Sequence, residues 1–445
     1  YYMRTLEGIR MSHEYKKRRN KLSRLIGRDS IAILPTSSIK MRSRDTDYPF
    51  RANSDFYYFT GFSEPEALMI LAPGRPEGEF VLLVRPKDPL KEIWDGYMEG
   101  ISGAKRNYLA DEAFKIEDID SILSTMFQNR QKVFYTLGND ENYDKIVVNA
   151  FNQVRANQRR GGVVPTEIVS LEPLVHEMRL IKSRDEIRLM KKSAQISVEA
   201  HHRVMDECRD GVYEYQIDAA IRHQFGKYGA VPAYHSIVAS GANACTLHYI
   251  ENKDKLQSGD LLLTDAGCEH LMYAADITRT IPVSGSYTDE QKAVYSIVLD
   301  AQKEAINSVK PGQTFENLQN QAIENITKGL RRLGLLKGTL KSLIEKEAYK
   351  DFYMHGIGHW LGMDVHDVGT YMSEKGKSKK FEAGMVLTIE PGIYISKKNK
   401  NVDKIWRGIG VRIEDDVLVT KSGCDVLSGN LPKEIDDIER RMSLN

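Results

Sequence analysis

Four apolar runs in the second half of this 445-residue chain each carry a carboxylate at or near their end. Leu261, Leu262 and Leu263 lead to Asp265 in "SGDLLLTDAG", and "MYAADITRT" carries Asp276. Val386, Leu387 and Ile389 lead to Glu390 in "GMVLTIEPG", and Val411 and Ile413 lead to Glu414 in "GIGVRIEDD". Runs of this kind become buried strands. A buried carboxylate is costly unless it is paired or bound to a metal. Two arginines stand close in sequence: Arg279 could pair with Asp276, and Arg412 with Glu414. Any one of these acids, taken alone, reads as structural. Together, four acids face two arginines, and two negative charges lack a partner. Like charges packed together resist ionisation. Two divalent cations would bring four positive charges and use the carboxylates as bridges. Asp265 and Asp276 are separated by a stretch that suits two strands joined by a short loop, which would bring both acids to one site.

The stretch "MHGIGHWLGMDVHD" supplies imidazoles. His355, His359 and His366 are spaced by four and seven, so a helix would put them on one face. Gly356, Gly358 and Gly362 argue against that helix, at about 1 kcal/mol each. Irregular backbone near a metal and a substrate accounts for both features: one histidine can be a ligand and the others can hydrogen-bond the substrate. His248, in "GANACTLHYIEN", is the remaining histidine of interest. Mixed carboxylate and imidazole ligation suits manganese, iron, cobalt or zinc, whereas calcium prefers oxygen alone. Two metals about 3.5–4 Å apart form the usual hydrolytic pair.

Length points to two domains. "DSIAILPTS", "DFYYFTGF", "EALMILAP" and "GEFVLLVRP" read as strands, and "DKIVVNAFNQVRANQ" as a helix, so the first domain is α/β. The Gly-rich "QRRGGVVPTE" precedes a boundary near residue 175. Beyond it, Ser183 and Glu186 form a capping box, and Ile187, Met190, Ala194 and Val198 mark an amphipathic helix. Helices follow to about residue 229, then strands, then a helical stretch near 288–350, then strands from Met385. The Lys-rich segments 375–380 and 396–404 read as solvated loops.

A net charge of +1 excludes the basic surplus of a nucleic-acid binder. No apolar run approaches the ~20 residues needed to span a membrane. The first 22 residues are charged and lack an apolar signal core, so secretion is not expected. Residues 1–10 read as a frayed or non-native leader. The four cysteines, Cys208, Cys245, Cys268 and Cys424, form no CxxC pair and suit a reducing cytoplasm.

"TDAGCEHLMYAADITRT", "HGIGHWLGMDVHD", "GMVLTIEPGIYI" and "GIGVRIEDD", in that order, resemble the pita-bread metallopeptidases. These comprise methionine aminopeptidases, Xaa-Pro aminopeptidases, prolidases and the metal-free creatinases. "YPFRANSDFYYFTGFSEPEA" (48–67) is similar to the N-terminal domain of bacterial-type Xaa-Pro aminopeptidases. The resemblance implies an N-terminal α/β domain, residues 1–175, and a C-terminal α+β pita-bread catalytic domain, residues 176–445.

It implies Asp265, Asp276, His359, Glu390 and Glu414 as ligands to two divalent metal ions, with manganese expected and cobalt or zinc as alternatives. The implied reaction is attack by a metal-bridging hydroxide, releasing the N-terminal residue of peptides with proline in second position. Asp265 would hold the substrate's free amino group, and Glu390 would carry the proton to the leaving nitrogen. His248 and His366 would stabilise the oxyanion. His355, Tyr394 and Arg412 would line the proline side, and Trp94 and Arg155 would close the pocket, in some members from a neighbouring subunit. A homo-oligomer, dimer or tetramer, is the implied assembly. A prolidase acting on Xaa-Pro dipeptides is the nearest alternative, and a non-catalytic pita-bread binding protein is another. A two-metal phosphoesterase ranks lower, because no Gly-rich phosphate cradle is present.

Overall fold

The structure, a computed structural model, describes residues 6–157, 163–373 and 375–443. It divides into two compact units, Tyr1–Met178 and Arg179–Asn445. The Gly-rich break at 158–162 and residues 1–5 lie outside the described residues. A helix, Leu6–Ile26, covers the second half of the stretch expected as a frayed leader.

The first unit is built on one six-stranded sheet. Its order is Glu112–Lys115, Phe80–Val84, Leu68–Leu71, Ser30–Pro35, Lys132–Phe134, Glu167–Val169. The two strands with unbroken apolar sequence, Leu68–Leu71 and Phe80–Val84, are buried along their whole length, as strands covered on both faces must be. "DFYYFTGF" is not a strand. Ser54–Thr60 is a helix, capped by Asn53, whose Oδ1 accepts from the Phe56 amide at 3.0 Å, and closed by Gly61 at φ +65°. Its aromatic residues favour strands by propensity. An N-cap before them and a left-handed glycine after them decide the matter locally, and burial of Phe56–Thr60 rewards the helix.

The second unit runs through one pattern twice: a pair of helices, then antiparallel strands. The first pass is Arg184–Glu207 and Glu214–Gly226, followed by the sheet Ile237–Ser240, Leu261–Asp265, Thr278–Pro282. The second is Asp289–Ser308 and Phe315–Arg332, followed by Val386–Ile389, Asp415–Val419, Cys424–Val426. The Ser183–Glu186 capping box is present at the head of the first helix, with both reciprocal bonds made.

In each pass the acids sit at equivalent places. Asp265 ends its strand and pairs with Thr278, two residues after Asp276. Glu390 follows Ile389, which pairs with Asp415, one residue after Glu414. Leu261, Leu262 and Leu263 are at most 3% exposed. Burying each contributes about 2 kcal/mol, which offsets the cost of carrying a carboxylate into the same core. The connection from Asp265 to Asp276 is not a short loop: it contains the hairpin Cys268–His270 with Tyr273–Ala274.

Candidate metal centre

Strand alternation sorts the charges. Successive residues face opposite sides of a strand. On one side lie Asp265, Thr278, Arg412 and Glu414; on the other lie Arg279 and Asp415. Arg279 therefore does not pair with Asp276. Its Nη2 meets Asp415 Oδ1 at 2.7 Å, with both side chains at most 1% exposed. Arg412 does not pair with Glu414 either. Its Nη2 donates to Asp265 Oδ2 at 2.6 Å, its Nε to Thr278 Oγ1 at 3.1 Å and its Nη1 to Tyr394 Oη at 3.0 Å. Glu414 Oε2 accepts only from the Thr278 hydroxyl, at 2.6 Å, among the described residues. Four acids thus face one arginine, a larger surplus than sequence neighbours suggest.

The histidine segment is not helical, in keeping with its glycines. It is pinned along the strand Val386–Ile389: Leu361 N donates to Val386 O, Thr388 N to His359 O and Glu390 N to Ile357 O, at 2.8–3.0 Å. This ladder sets His359 beside Glu390. A side chain at Gly358 would collide with the Thr388 carbonyl, so the close approach needs glycine there.

His359 Nδ1 lies 2.9 Å from the Trp360 carbonyl, which can only accept, so Nδ1 carries a proton. Nε2 is left to face Asp276 Oδ2 at 3.3 Å and Glu390 Oε1 at 3.7 Å. That is the orientation of a ligand imidazole fixed by its outer bond. One atom each from Asp276, His359 and Glu414 lie within 4.8 Å of one another.

Without a cation the centre is electrostatically unsettled. Burial pushes Glu390 up to about 7 and raises Asp265 and Glu414, the last well above the usual carboxylate range with Asp276 and Glu390 adding to it. Burial alone would also raise Asp276, but the bond to His359 holds it low. Burial alone would lower His359, but Asp276 and Glu390 drive it to about 9. Tyr234 adds a sharper sign. Its single hydroxyl lies 2.6 Å from Asp265 Oδ1 and 2.5 Å from Asp276 Oδ1. One proton cannot serve two ionised carboxylates at once. The donor set, hard carboxylates with one imidazole nitrogen, fits a divalent metal.

A cavity of about 260 Å³ opens onto these groups, lined also by His248, His355 and His366. His248 and His366 are exposed; the rings of His359 and His366 meet edge-on at 4.3 Å. Burial, then Arg412, pushes His355 down to about 4. Neutral His355 donates from Nδ1 to the Gly356 carbonyl at 2.8 Å and accepts at Nε2 from Tyr394 Oη at 2.8 Å. Arg412, Tyr394 and His355 therefore form one continuous donor chain along a wall. Trp94 and Arg155 lie in the first unit. Trp94, on the helix Pro89–Asp95, is 88% exposed, and Arg155, on Glu141–Asn157, stands 5.8 Å from the ring of its neighbour Phe151.

Two supporting residues escape a reading of the sequence. Tyr234 is one. The other is Glu214, fully buried, which accepts from Ser240 N and Oγ, Asn243 Nδ2, Tyr249 Oη and Asp254 N at 2.7–3.0 Å. It organises the loop that carries His248. Neither stands in an apolar run, so neither breaks a pattern.

A doubled helix-and-sheet unit with surplus carboxylates at matching strand ends defines the class of pita-bread metallopeptidases, and the model of metallopeptidase family M24 matches residues 188–421. The model of the aminopeptidase P N-terminal domain matches residues 15–135. The chain belongs to the Xaa-Pro aminopeptidase family within M24: it is 42% identical over 431 residues to the Xaa-Pro aminopeptidase of Haemophilus influenzae, with 97% of each chain covered. The Xaa-Pro aminopeptidase of Escherichia coli is 39% identical over 431 residues, covering 96% of this chain and 97% of that one. Among solved structures, Pseudomonas aeruginosa aminopeptidase PepP superposes with a TM-score of 0.96 at 48% identity, covering 97% of this chain and 98% of that one. Zn-substituted E. coli aminopeptidase P in complex with product gives 0.94 at 39%, with the same coverage.

Proposed function

We propose that this chain is a metal-dependent aminopeptidase that releases the N-terminal residue from peptides with proline in second position. The observation that carries this reading is the convergence of Asp265, Asp276, Glu390, Glu414 and His359 Nε2 on one cavity, where Arg412 is the one arginine or lysine against the acids among the described residues. Those five residues would hold two divalent cations, manganese being the expected pair. When bound, the cations would neutralise the carboxylates, lower the pKa of water and polarise the scissile carbonyl.

The chain's own groups do the rest. Asp265, tied to Arg412, would orient the substrate's free amino group. Glu390, which its surroundings hold near 7, would take a proton from the attacking water and deliver it to the proline nitrogen. His248 and His366, exposed at the cavity, would donate to the oxyanion, at about 3–4 kcal/mol per preorganised donor. The amide nitrogen of proline carries no hydrogen, so selection must come from the shape of the wall formed by His355, Tyr394 and Arg412. Trp94 and Arg155 are proposed to close the pocket, from a neighbouring subunit of a dimer or tetramer. Four cysteines without a disulfide support a cytoplasmic setting; no helix among the described residues is long and apolar enough to cross a membrane.

The test is cleavage of an Xaa-Pro-Yaa tripeptide against an Xaa-Pro dipeptide, after chelation and add-back of manganese, cobalt or zinc. Metal-restored cleavage that favours the tripeptide is expected. Preference for the dipeptide would reassign the chain as a prolidase, and no metal-dependent cleavage of either would sink the enzyme reading.

A further inference from the structure

The histidine segment holds two acids that the ligand set does not absorb, Asp364 and Asp367. Asp367 directly follows His366, one of the two proposed oxyanion donors. The neighbours part there: His366 is exposed at the cavity, whereas the Asp367 side chain is 1% exposed. Its carboxylate is gripped from both sides. Oδ1 accepts from Arg179 Nη2, and Oδ2 accepts from Lys182 Nζ at 2.9 Å. Both cations are buried as well. Arg179 Nη2 also reaches Asp364 Oδ2 at 2.7 Å, and Asp364 N donates to Asp367 Oδ1 at 3.4 Å. Burial alone would raise Asp367, but Lys182 and Arg179 hold it low, so it is ionised.

Buried ion pairs add little stability over apolar side chains of the same size; what they supply is fixed geometry. The turn after Trp360 needs it, since residues 361–367 form neither helix nor strand. Asp367 closes that turn. Its N–H donates to the Trp360 carbonyl at 2.9 Å, the same oxygen that accepts from His359 Nδ1. Its carboxylate lies against Gly362, where a side chain would collide with Oδ2 and crowd Lys182. Lys182 is anchored in turn, its N–H donating to the Gly384 carbonyl at 2.8 Å. His366 meets the His359 ring edge-on, but among the described residues no hydrogen bond fixes its own ring. The backbone that Asp367 closes therefore sets its aim.

We propose that Asp367, clamped by Arg179 and Lys182, is a positioning residue that aims His366 into the cavity and acts through it, without touching substrate. The inference rests on the peptidase reading. Each proposed oxyanion donor then has its own buried acid, Glu214 behind His248 and Asp367 behind His366.

Steady-state kinetics of the manganese-loaded full chain on an Xaa-Pro-Yaa tripeptide test it, with Asp367→Asn made alone and together with His366→Ala. Asp367→Asn keeps the size and removes the charge that both cations hold. It should lower kcat by about 10–100-fold, the scale of a donor misplaced by about 1 Å, with KM and metal content per folded chain unchanged. The same change made on His366→Ala should lower kcat no further. Equal losses with and without His366 would overturn the proposal, and so would an unchanged kcat. Should Asp367→Asn fail to fold, Lys182→Met, which leaves Arg179 on the carboxylate, carries the same test with the same outcomes deciding it. NMR of the histidine-labelled, zinc-loaded chain gives a readout free of cleavage. The His366 ring signals, identified by their loss in His366→Ala, should shift in Asp367→Asn while those of His248 hold. Unmoved His366 signals would overturn the proposal. If the parent cleaves no peptide, the peptidase reading fails, and the spectrum alone decides whether Asp367 sets His366.

Discussion

A lone buried acid, Asp415, and a cluster of them lie on opposite faces of the same strands, and they behave in opposite ways. Around Asp415 the chain supplies its own cations. Arg279 and Lys433 each approach at 2.7 Å, and Gln302 and Ser428 complete the shell. Burial would raise this carboxylate, but those two charges pull it down to about 2. Around Asp265, Asp276, Glu390 and Glu414 the one arginine or lysine among the described residues is Arg412, with the His359 imidazole facing Asp276, and three of the four acids are pushed up. Burial does not tell a structural acid from a ligand, since both groups are buried. The distinction lies in whether the protein furnishes the positive charge.

The comparison can be broken at its largest predicted effect. Glu390→Gln or Asp265→Asn should cut metal-dependent cleavage by about 10³-fold or more, the scale of losing preorganised electrostatic stabilisation, while circular dichroism stays native. Full activity in either would dissolve the contrast. Asp415→Ala should do the reverse. It leaves Arg279 buried and unpaired, so denaturant melts should show a loss of about 3–5 kcal/mol, with metal content per folded chain unchanged. Metal loss in that variant would erase the distinction between Asp415 and the cluster.

Acid titration sharpens the same contrast. The folded pKa of Asp415 lies below its unfolded value, so its contribution is present above about pH 4 and is lost as pH falls toward 2, on the order of 2–3 kcal/mol. The metal centre responds higher up. His359 near 9 and Glu390 near 7 bind protons that a cation must displace. Apparent metal affinity, measured by calorimetry, should therefore rise with pH across the neutral range, and a flat profile would contradict it. Tyr234→Phe should weaken metal retention by about 10–100-fold, as loss of an outer hydrogen bond to a ligand does. Glu214→Gln is expected to have the smallest effect, a several-fold drop in kcat that vanishes when His248 is already replaced by Ala. Additive losses would make Glu214 merely structural.

The acids proposed as ligands were legible because a carboxylate in an apolar run contradicts its surroundings. Their partners were not. Proximity in sequence suggested Arg279 for Asp276 and Arg412 for Glu414, whereas alternation along the strands sends Arg279 to the far face and lets Arg412 reach across to Asp265. The helix at Ser54–Thr60 was hidden for a related reason: its aromatic residues advertise a strand, and only the flanking Asn53 and Gly61 say otherwise. Tyr234 and Glu214 lie among ordinary polar residues and become visible only when the chain has folded back on them.

The doubled pattern of the second unit has a consequence for biosynthesis. Asp265 and Asp276 come from its first pass, Glu390 and Glu414 from its second. A growing polypeptide on the ribosome therefore lacks part of the proposed ligand set until Glu414 has emerged. On that assignment, a prematurely terminated fragment would not present the finished arrangement to a metal.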